Sequence, residues 1–104
     1  MDAQLKRGML EACVLAALVK GESYGYKIIK DLPDSLGVYE STLYPILKRL
    51  EAGGSVTVRS AEHNGRLRKY YRITPQGVSR IQRFLEEWQT VMAIYDYIKG
   101  ELYD

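Results

Sequence analysis

The chain has 104 residues, of which 46% are hydrophobic and 27% are charged, and its formal net charge is +2. These values are typical of one globular domain and argue against intrinsic disorder, although a chain of this length has little core to spare. No apolar run reaches the roughly 18 residues of a membrane span, and the first residues lack the zones of a signal peptide, so we expect a cytoplasmic protein with no membrane partner.

Cys13 and His63 are each the single residue of their type. A lone cysteine among apolar neighbours argues against a disulfide framework and is expected to be a buried, inert thiol. His63 is expected beside a turn, and the sequence offers it no further metal ligands. We also find no nucleophile with a histidine and carboxylate partner and no phosphate-binding glycine loop. The sequence therefore predicts no enzyme activity, metal site or cofactor.

The first third of the chain is predicted to form two helices. Apolar residues on more than one face indicate a helix from Leu5 to Leu18, which Gly21 ends. Ser23 is a suitable N-cap for a second helix from Tyr24 to Leu32, and this helix ends at a turn formed by Pro33–Gly37.

A third helix is predicted from about residue 40 to residue 51. Its apolar residues recur at helical spacing, at Leu43, Ile46, Leu47 and Leu50. This spacing leaves the other side to Ser41, Thr42, Tyr44, Pro45, Lys48 and Arg49. Because proline cannot donate a backbone hydrogen bond, we place the helix start near residues 40–42, with Pro45 close to the first turn. The N-terminal end of this helix is expected to face outward.

A β-hairpin is predicted next. Val56–Arg59 and Arg66–Thr74 favour strands, and Asn64-Gly65 supplies the positive φ angles of a two-residue type I′ turn. Side chains on the second strand alternate between its two faces. One face carries Arg66, Arg68, Tyr70 and Arg72. The opposite face carries Leu67, Lys69, Tyr71 and Ile73. On an isolated ribbon these arginines would be a solvated face, but beside the preceding helix we interpret them as phosphate contacts.

Positive charge is concentrated in the helix and hairpin region. Residues 40–83 carry nine basic and three acidic side chains, whereas residues 1–39 carry five of each and residues 84–104 carry one basic and five acidic. This distribution is typical of a surface that binds nucleic acid phosphates, and the acidic end should face away from it. A helix followed by a short basic ribbon predicts a winged helix-turn-helix, mainly α with one small hairpin.

The last helix is predicted to start at the N-cap pair Thr74-Pro75 and to run to about Lys99. A helix of about 25 residues spans roughly 37 Å, more than so small a domain can cover. We therefore divide the chain into a winged helix-turn-helix, residues 1–74, and a dimerisation helix, residues 75–104. The predicted homodimer interface has coiled-coil spacing and consists of Ile81, Leu85, Trp88, Met92 and Tyr95. Such a twofold dimer would suit a palindromic operator.

Four segments closely resemble the PadR family of transcriptional regulators: Ser23–Ile28, Ser41–Glu51, Gly65–Tyr71 and Arg72–Gly77. The string T-L-Y-P-x-L-x-R-L-E is specific in combination with R-K-Y-Y-R-x-T. A single long helix after the hairpin is similar to the short subfamily. The resemblance implies a homodimeric winged-helix repressor whose operators lie near its own or adjacent genes, often genes for efflux or detoxification, and which a small molecule releases.

The resemblance also assigns residues to roles. Ser41–Leu50 would be the recognition helix, Gly65–Lys69 the tip of the wing, and Tyr24 a neighbour of the DNA backbone. Together with the charge pattern, this gives an expected contact set for double-stranded DNA of Tyr24, Ser41, Thr42, Tyr44, Lys48, Arg49, Arg66, Arg68, Lys69 and Arg72. Two alternatives to DNA binding are a winged helix used for protein contacts and a drug-binding dimer that has lost DNA affinity.

Trp88 has two possible roles. In some short members of the family a tryptophan at the matching place stacks on flat aromatic ligands between the two subunits. Trp88 could equally fill the dimer core as a large apolar anchor. A small aromatic or hydrophobic inducer at this place would be expected to contact Trp88, Met92 and the first-helix residue Val14.

Overall fold

A computed structural model describes residues 2–104 as four α-helices and one antiparallel hairpin. In chain order the elements are α1 (Ala3–Ala16), α2 (Gly25–Asp31), α3 (Glu40–Ala52), β1 (Val56–His63), β2 (Arg66–Ile73) and α4 (Pro75–Tyr103). A single 3₁₀ turn, Asp34–Leu36, lies between α2 and α3. This architecture confirms the predicted winged helix-turn-helix with a long C-terminal helix.

The hydrophobic core lies where α1, α2 and α3 meet the inner end of the hairpin. Its fully buried side chains include Leu15, Leu18, Ile28, Leu43, Leu47, Leu50, Val14 and Val56. Burying one such leucine, isoleucine or valine side chain contributes about 1.5–3 kcal/mol. Because α3 buries the apolar residues that its periodicity selects, its polar side, including Ser41 and Lys48, is left exposed.

The hairpin has the predicted turn. Each strand has eight residues, and the two strands pair along their whole length. Asn64 and Gly65 form the tip with φ angles of 52° and 79°, as a type I′ turn requires. Tyr71, near the inner end of β2, is buried, whereas the tip residues are exposed. The hairpin is therefore anchored at one end and free at the other.

Ser23 has a different role from the predicted helix cap. Its backbone N–H donates to the Tyr71 carbonyl at 3.0 Å, and its carbonyl accepts from the Tyr71 N–H at 2.7 Å. Ser23 thus forms an isolated bridge to the free edge of β2. The capping position of α2 falls to Tyr24 instead. This bridge fixes the start of α2 beside the hairpin.

Pro45 also lies elsewhere than expected. Helix α3 starts at Glu40, as predicted, but Pro45 falls in its second turn. A proline there cannot donate to the carbonyl of Ser41, so α3 lacks one backbone hydrogen bond. Ser41 is exposed, and water can satisfy that carbonyl.

Helix α4 begins tightly against the hairpin and then leaves the core. The Thr74 hydroxyl accepts from the Gly77 N–H at 3.1 Å and donates to the Gly54 carbonyl at 2.7 Å. A Cβ at Gly77 would lie 2.6 Å from Cγ1 of Ile73, so this close approach requires glycine. The helix ends at Tyr103, beyond the predicted end, and accounts for the elongated 62 × 26 × 21 Å shape.

Candidate nucleic-acid interface

A groove of about 590 Å³ lies where α2, α3 and β2 meet. Its walls are Tyr24, Gly25, Tyr26, Tyr44, Leu67, Arg68, Lys69 and Tyr71. Tyr24, Tyr44, Arg68 and Lys69 belong to the predicted contact set. The fold therefore brings together one residue from the start of α2, one from α3 and two from the wing.

Tyr44 reaches from α3 across the start of α2. A Cβ built on Gly25 would lie 2.9 Å from Cζ of Tyr44, which is closer than real Cβ contacts come. The ring can therefore occupy this position only because residue 25 is glycine. Tyr44 is still 45% exposed, so α3 presents a fixed phenol ring to the groove.

Arg68 is stacked rather than free. Its guanidinium carbon lies 3.8 Å from the centroid of the Tyr24 ring, a cation–π contact. Tyr70 packs edge-on against Tyr24, with ring centroids 5.9 Å apart and an interplanar angle of 74°. Such a cation–π pair contributes about 0.5–1 kcal/mol at an exposed site. The stack holds a positive charge between α2 and the wing.

Arg72 is partly neutralised within the protomer. Its Nη2 lies 3.7 Å from Glu22, and Arg59 donates from Nε to the same carboxylate at 3.0 Å and again from Nη2. The hydrogen bond from Arg59 is the main reason that the pKa of Glu22 lies below its usual value. Neither Glu22 nor Arg59 was predicted from the sequence to belong to the site. The strand register, which places Arg59 opposite Tyr70, was the available signal for Arg59.

Arg49 is also paired internally. Its Nε lies 3.7 Å from Oε1 of Glu11, a residue of α1 that is only 6% exposed. Arg7 lies 3.5 Å from the same carboxylate, and Arg80 of α4 donates a hydrogen bond to it. A charged residue among the apolar positions of α1 was the only sequence signal for Glu11.

The remaining predicted contacts separate into two groups. Lys48, Arg66 and Lys69 are exposed, and none of the ion pairs found among residues 2–104 includes them. Ser41 and Thr42 line a separate depression between the starts of α1 and α3, not the groove with Tyr24 and Tyr44. The start of α3 and the groove are therefore two distinct parts of the candidate interface.

The predicted dimer residues on α4 are mostly open to solvent in one chain. Leu85 is 57% exposed, Met92 is 48% exposed and Tyr95 is 52% exposed. Trp88 is half-buried, and its ring centroid lies 6.0 Å from that of Phe84. Every residue from 89 to 99 is exposed, so this half of α4 has no cover within the chain.

Val14 and Ile81 lie deeper than the sequence analysis expected. Val14 has 0% exposure and sits in the core, so it has no surface to offer a ligand. Ile81 is half-buried and packs against the same core, which leaves it less available to a partner than the later α4 residues. The apolar pattern of α1 did not reveal which of its residues face inward, because more than one face is apolar.

Residues 2–104 were also compared with the requirements of a membrane span, a metal site and a reactive thiol. No helix in this range combines the length and the hydropathy that a bilayer span requires. The same range contains no group of three or more histidine, cysteine or acidic side chains able to hold a metal ion. Burial raises the pKa of the Cys13 thiol, which disfavours the reactive thiolate.

Comparison with known proteins places this architecture among bacterial regulators. A transcriptional regulator of Clostridium thermocellum superposes with a TM-score of 0.80 at 31% identity, covering 91% of this chain and 97% of that one. A PadR-like transcription factor of Bacteroides fragilis also gives 0.80, at 34% identity, covering 92% of this chain and 95% of that one. These similarities extend over α4 as well as the winged helix.

A third solved structure is Bacillus subtilis PadR in complex with operator DNA. Its TM-score is 0.67 at 30% identity, and the match covers 74% of this chain and 46% of that longer one. The family model of the transcriptional regulator PadR-like family matches residues 14–83, from the end of α1 into α4. This match includes α2, α3, the hairpin and the start of α4. The chain belongs to the PadR-like family of transcriptional regulators.

Proposed function

We propose that this regulator binds double-stranded DNA sequence-specifically as a homodimer and acts as a repressor. The observation that carries the proposal is the groove in which Tyr44 of α3 meets Tyr24, Arg68 and Lys69. Lys48 of α3 and Arg66 of the wing are also exposed. The solved complex of Bacillus subtilis PadR with operator DNA supports it by similarity.

In the proposed complex, α3 enters the major groove with its N-terminal end toward the base edges. Ser41, Thr42 and Tyr44 approach bases or sugars, and the amides of the first turn favour a phosphate. Lys48 contacts the backbone beside the groove, and the wing brings Arg66, Arg68 and Lys69 to neighbouring phosphates. Tyr24 contacts the backbone near the stacked Arg68. Arg72 is a weaker candidate because it is paired with Glu22.

In the proposed homodimer, the exposed apolar face of α4 packs against a second copy of the chain. Leu85, Trp88, Met92 and Tyr95 would meet their twofold counterparts, with Ile81 contributing at the inner end. Closed twofold symmetry is the commonest arrangement for soluble oligomers. It would place two α3 helices on a palindromic operator whose half-sites lie about 34 Å apart.

The proposed regulation is release by a small aromatic or hydrophobic inducer between the two α4 helices. Trp88 supplies an aromatic face and Met92 an adaptable apolar contact. The regulated genes would serve efflux, detoxification or stress. Trp88→Ala should then abolish the loss of DNA affinity that such an inducer causes in the wild-type protein. An unchanged response in the variant would remove Trp88 from the proposed site.

An electrophoretic shift tests the DNA-binding proposal directly. The probe is duplex DNA from upstream of the protein's own gene, and the competitor is a shuffled duplex of equal length. We expect a shifted band that unlabelled upstream duplex removes at far lower concentration than the shuffled duplex does. Equal competition would contradict sequence specificity, and the absence of any shift would favour a protein-contact or drug-binding role for the winged helix.

A further inference from the structure

We propose that Glu11 fixes the recognition helix α3 relative to α4 by pairing with Arg49 of α3 and Arg80 of α4, and that Arg49 is a positioning residue and not a phosphate contact. This inference rests on the proposed DNA-binding function and concerns how the interface is held. It assigns a role to Glu11, which has no part in the proposed DNA contacts. The inference also gives Arg49 a different role from the adjacent Lys48, which is a proposed phosphate contact.

The geometry places Glu11 at the junction of three helices. Its carboxylate meets Arg7 from its own helix, Arg49 from α3 and Arg80 from α4. The Glu11 side chain is only 8% exposed, whereas the three arginine side chains are 60%, 41% and 42% exposed. One buried carboxylate is therefore paired with three partly exposed arginines.

Helix α1 packs on both α3 and α4. Among residues 2–104, Glu11 is thus the residue whose one side chain forms ion pairs with both the recognition helix and the proposed dimerisation helix. In the proposed dimer, α4 determines the position of each protomer, so these ion pairs set the angle and separation of the two α3 helices. Operator binding depends on that geometry because half-site spacing is fixed by the DNA helix.

The buried carboxylate also explains why Arg49 should stay in place. An ionised group away from water is costly unless charged partners and hydrogen bonds compensate it. Moving Arg49 onto a phosphate would withdraw one of those partners. Lys48 has no such constraint, because it is exposed and belongs to none of the ion pairs among residues 2–104. The two adjacent cations should therefore respond differently to mutation.

The experiment compares affinities for two duplexes as a function of salt concentration. One is the tightest-binding duplex selected from a random pool, and the other is a random duplex of equal length. The proteins are full-length wild type, Lys48→Gln, Arg49→Gln, Glu11→Gln and the double variant of Glu11 and Arg49. Glu51→Gln on α3 is the matched control, because it removes one negative charge from an exposed position. Circular dichroism gives the folded fraction at the assay temperature.

We expect Lys48→Gln to weaken binding to both duplexes and to make the dimer's log–log salt slope shallower by about 1.8. Arg49→Gln should leave the slope and the random-duplex affinity unchanged but lower the selected-duplex affinity about tenfold. Glu11→Gln should cause a similar specific loss, and the double variant should be no weaker than either single variant. Glu51→Gln should preserve the preference for the selected duplex.

Two results would overturn the inference while leaving DNA binding intact. One is a salt slope that Arg49→Gln reduces as much as Lys48→Gln does, which would make Arg49 a phosphate contact. The other is unchanged or tighter selected-duplex binding by folded Glu11→Gln, which would make Glu11 a simple neutralising charge. A wild-type protein that selects no duplex would instead contradict the proposed function itself.

Discussion

Tyr24 illustrates how a single side chain can act through its neighbour. The Tyr24 ring supports the Arg68 guanidinium, so the contribution proposed for the ring in DNA binding can be separated from that of the Tyr24 hydroxyl. Tyr24→Leu should remove the stack, free Arg68 and lower DNA affinity about threefold. Tyr24→Phe keeps the ring and should retain most of the affinity. Equal losses in the two variants, measured by fluorescence anisotropy, would mean that the hydroxyl rather than the ring is responsible.

Glu22 should make the stability of the folded protein depend on pH in a defined direction. Its hydrogen bond from Arg59 lowers its pKa in the folded state below the usual 4.5. The stabilisation of the folded state by ionised Glu22 is therefore fully present above pH 4.5, and it is lost as the pH falls through the lowered pKa of Glu22. We expect urea unfolding to find wild type more stable than Glu22→Gln at pH 7, with the difference shrinking in acid. A difference that stays constant down to pH 2 would contradict this ionic contribution.

Among the secondary-structure elements, the hairpin has a tip whose conformation depends on the preference of glycine for positive φ. Gly65 has a φ of 79°, and a side chain in the left-handed region costs roughly 1–2 kcal/mol. Gly65→Ala should therefore lower the free energy of unfolding by about 1 kcal/mol. Gly8, inside α1, has open space around a new Cβ, and Gly8→Ala should raise that free energy by about 0.5–1 kcal/mol. Changes of the same sign at both sites would refute the conformational argument.

Local patterns predicted most of the elements because their causes lie within a few residues. The apolar spacing of α3, the Asn64-Gly65 turn and the Thr74-Pro75 cap each depend on neighbours in sequence. The Ser23 bridge was missed because its partner, Tyr71, is distant in the chain. A distant contact of this kind is decided by packing rather than by local preference.

The candidate site was predictable in composition but not in detail. The groove brings together Tyr24, Tyr44 of α3 and two cations of the wing, Arg68 and Lys69, all four from the predicted contact set. Which of the predicted cations are free depends on side-chain partners from other elements, and the sequence does not specify these. Arg49 and Arg72 are paired with Glu11 and Glu22, and this distinction emerged only from the three-dimensional arrangement.

For the whole molecule, the proposed dimer makes α4 the link between DNA binding and oligomeric state. Met92 lies on the predicted interface and Thr90 on another side of the helix, and both are exposed in one chain. Met92→Asp should convert the dimer to a monomer in sedimentation experiments, because the dimer would bury two unpaired charges. Thr90→Asp adds the same charge and should leave the dimer intact. A dimer that survives Met92→Asp would place the interface elsewhere.

In the proposed complex, cations of α3 and the wing, in two copies, bind the phosphates of duplex DNA. Lys48, Arg66, Arg68 and Lys69 of two protomers would neutralise about eight phosphates, which predicts a log–log salt slope of about −7. The decisive experiment determines the dissociation constant of the wild-type protein for its selected duplex at salt concentrations from low to physiological. We expect affinity to fall steeply along that slope. A nearly flat titration would show that these cations do not bind phosphates.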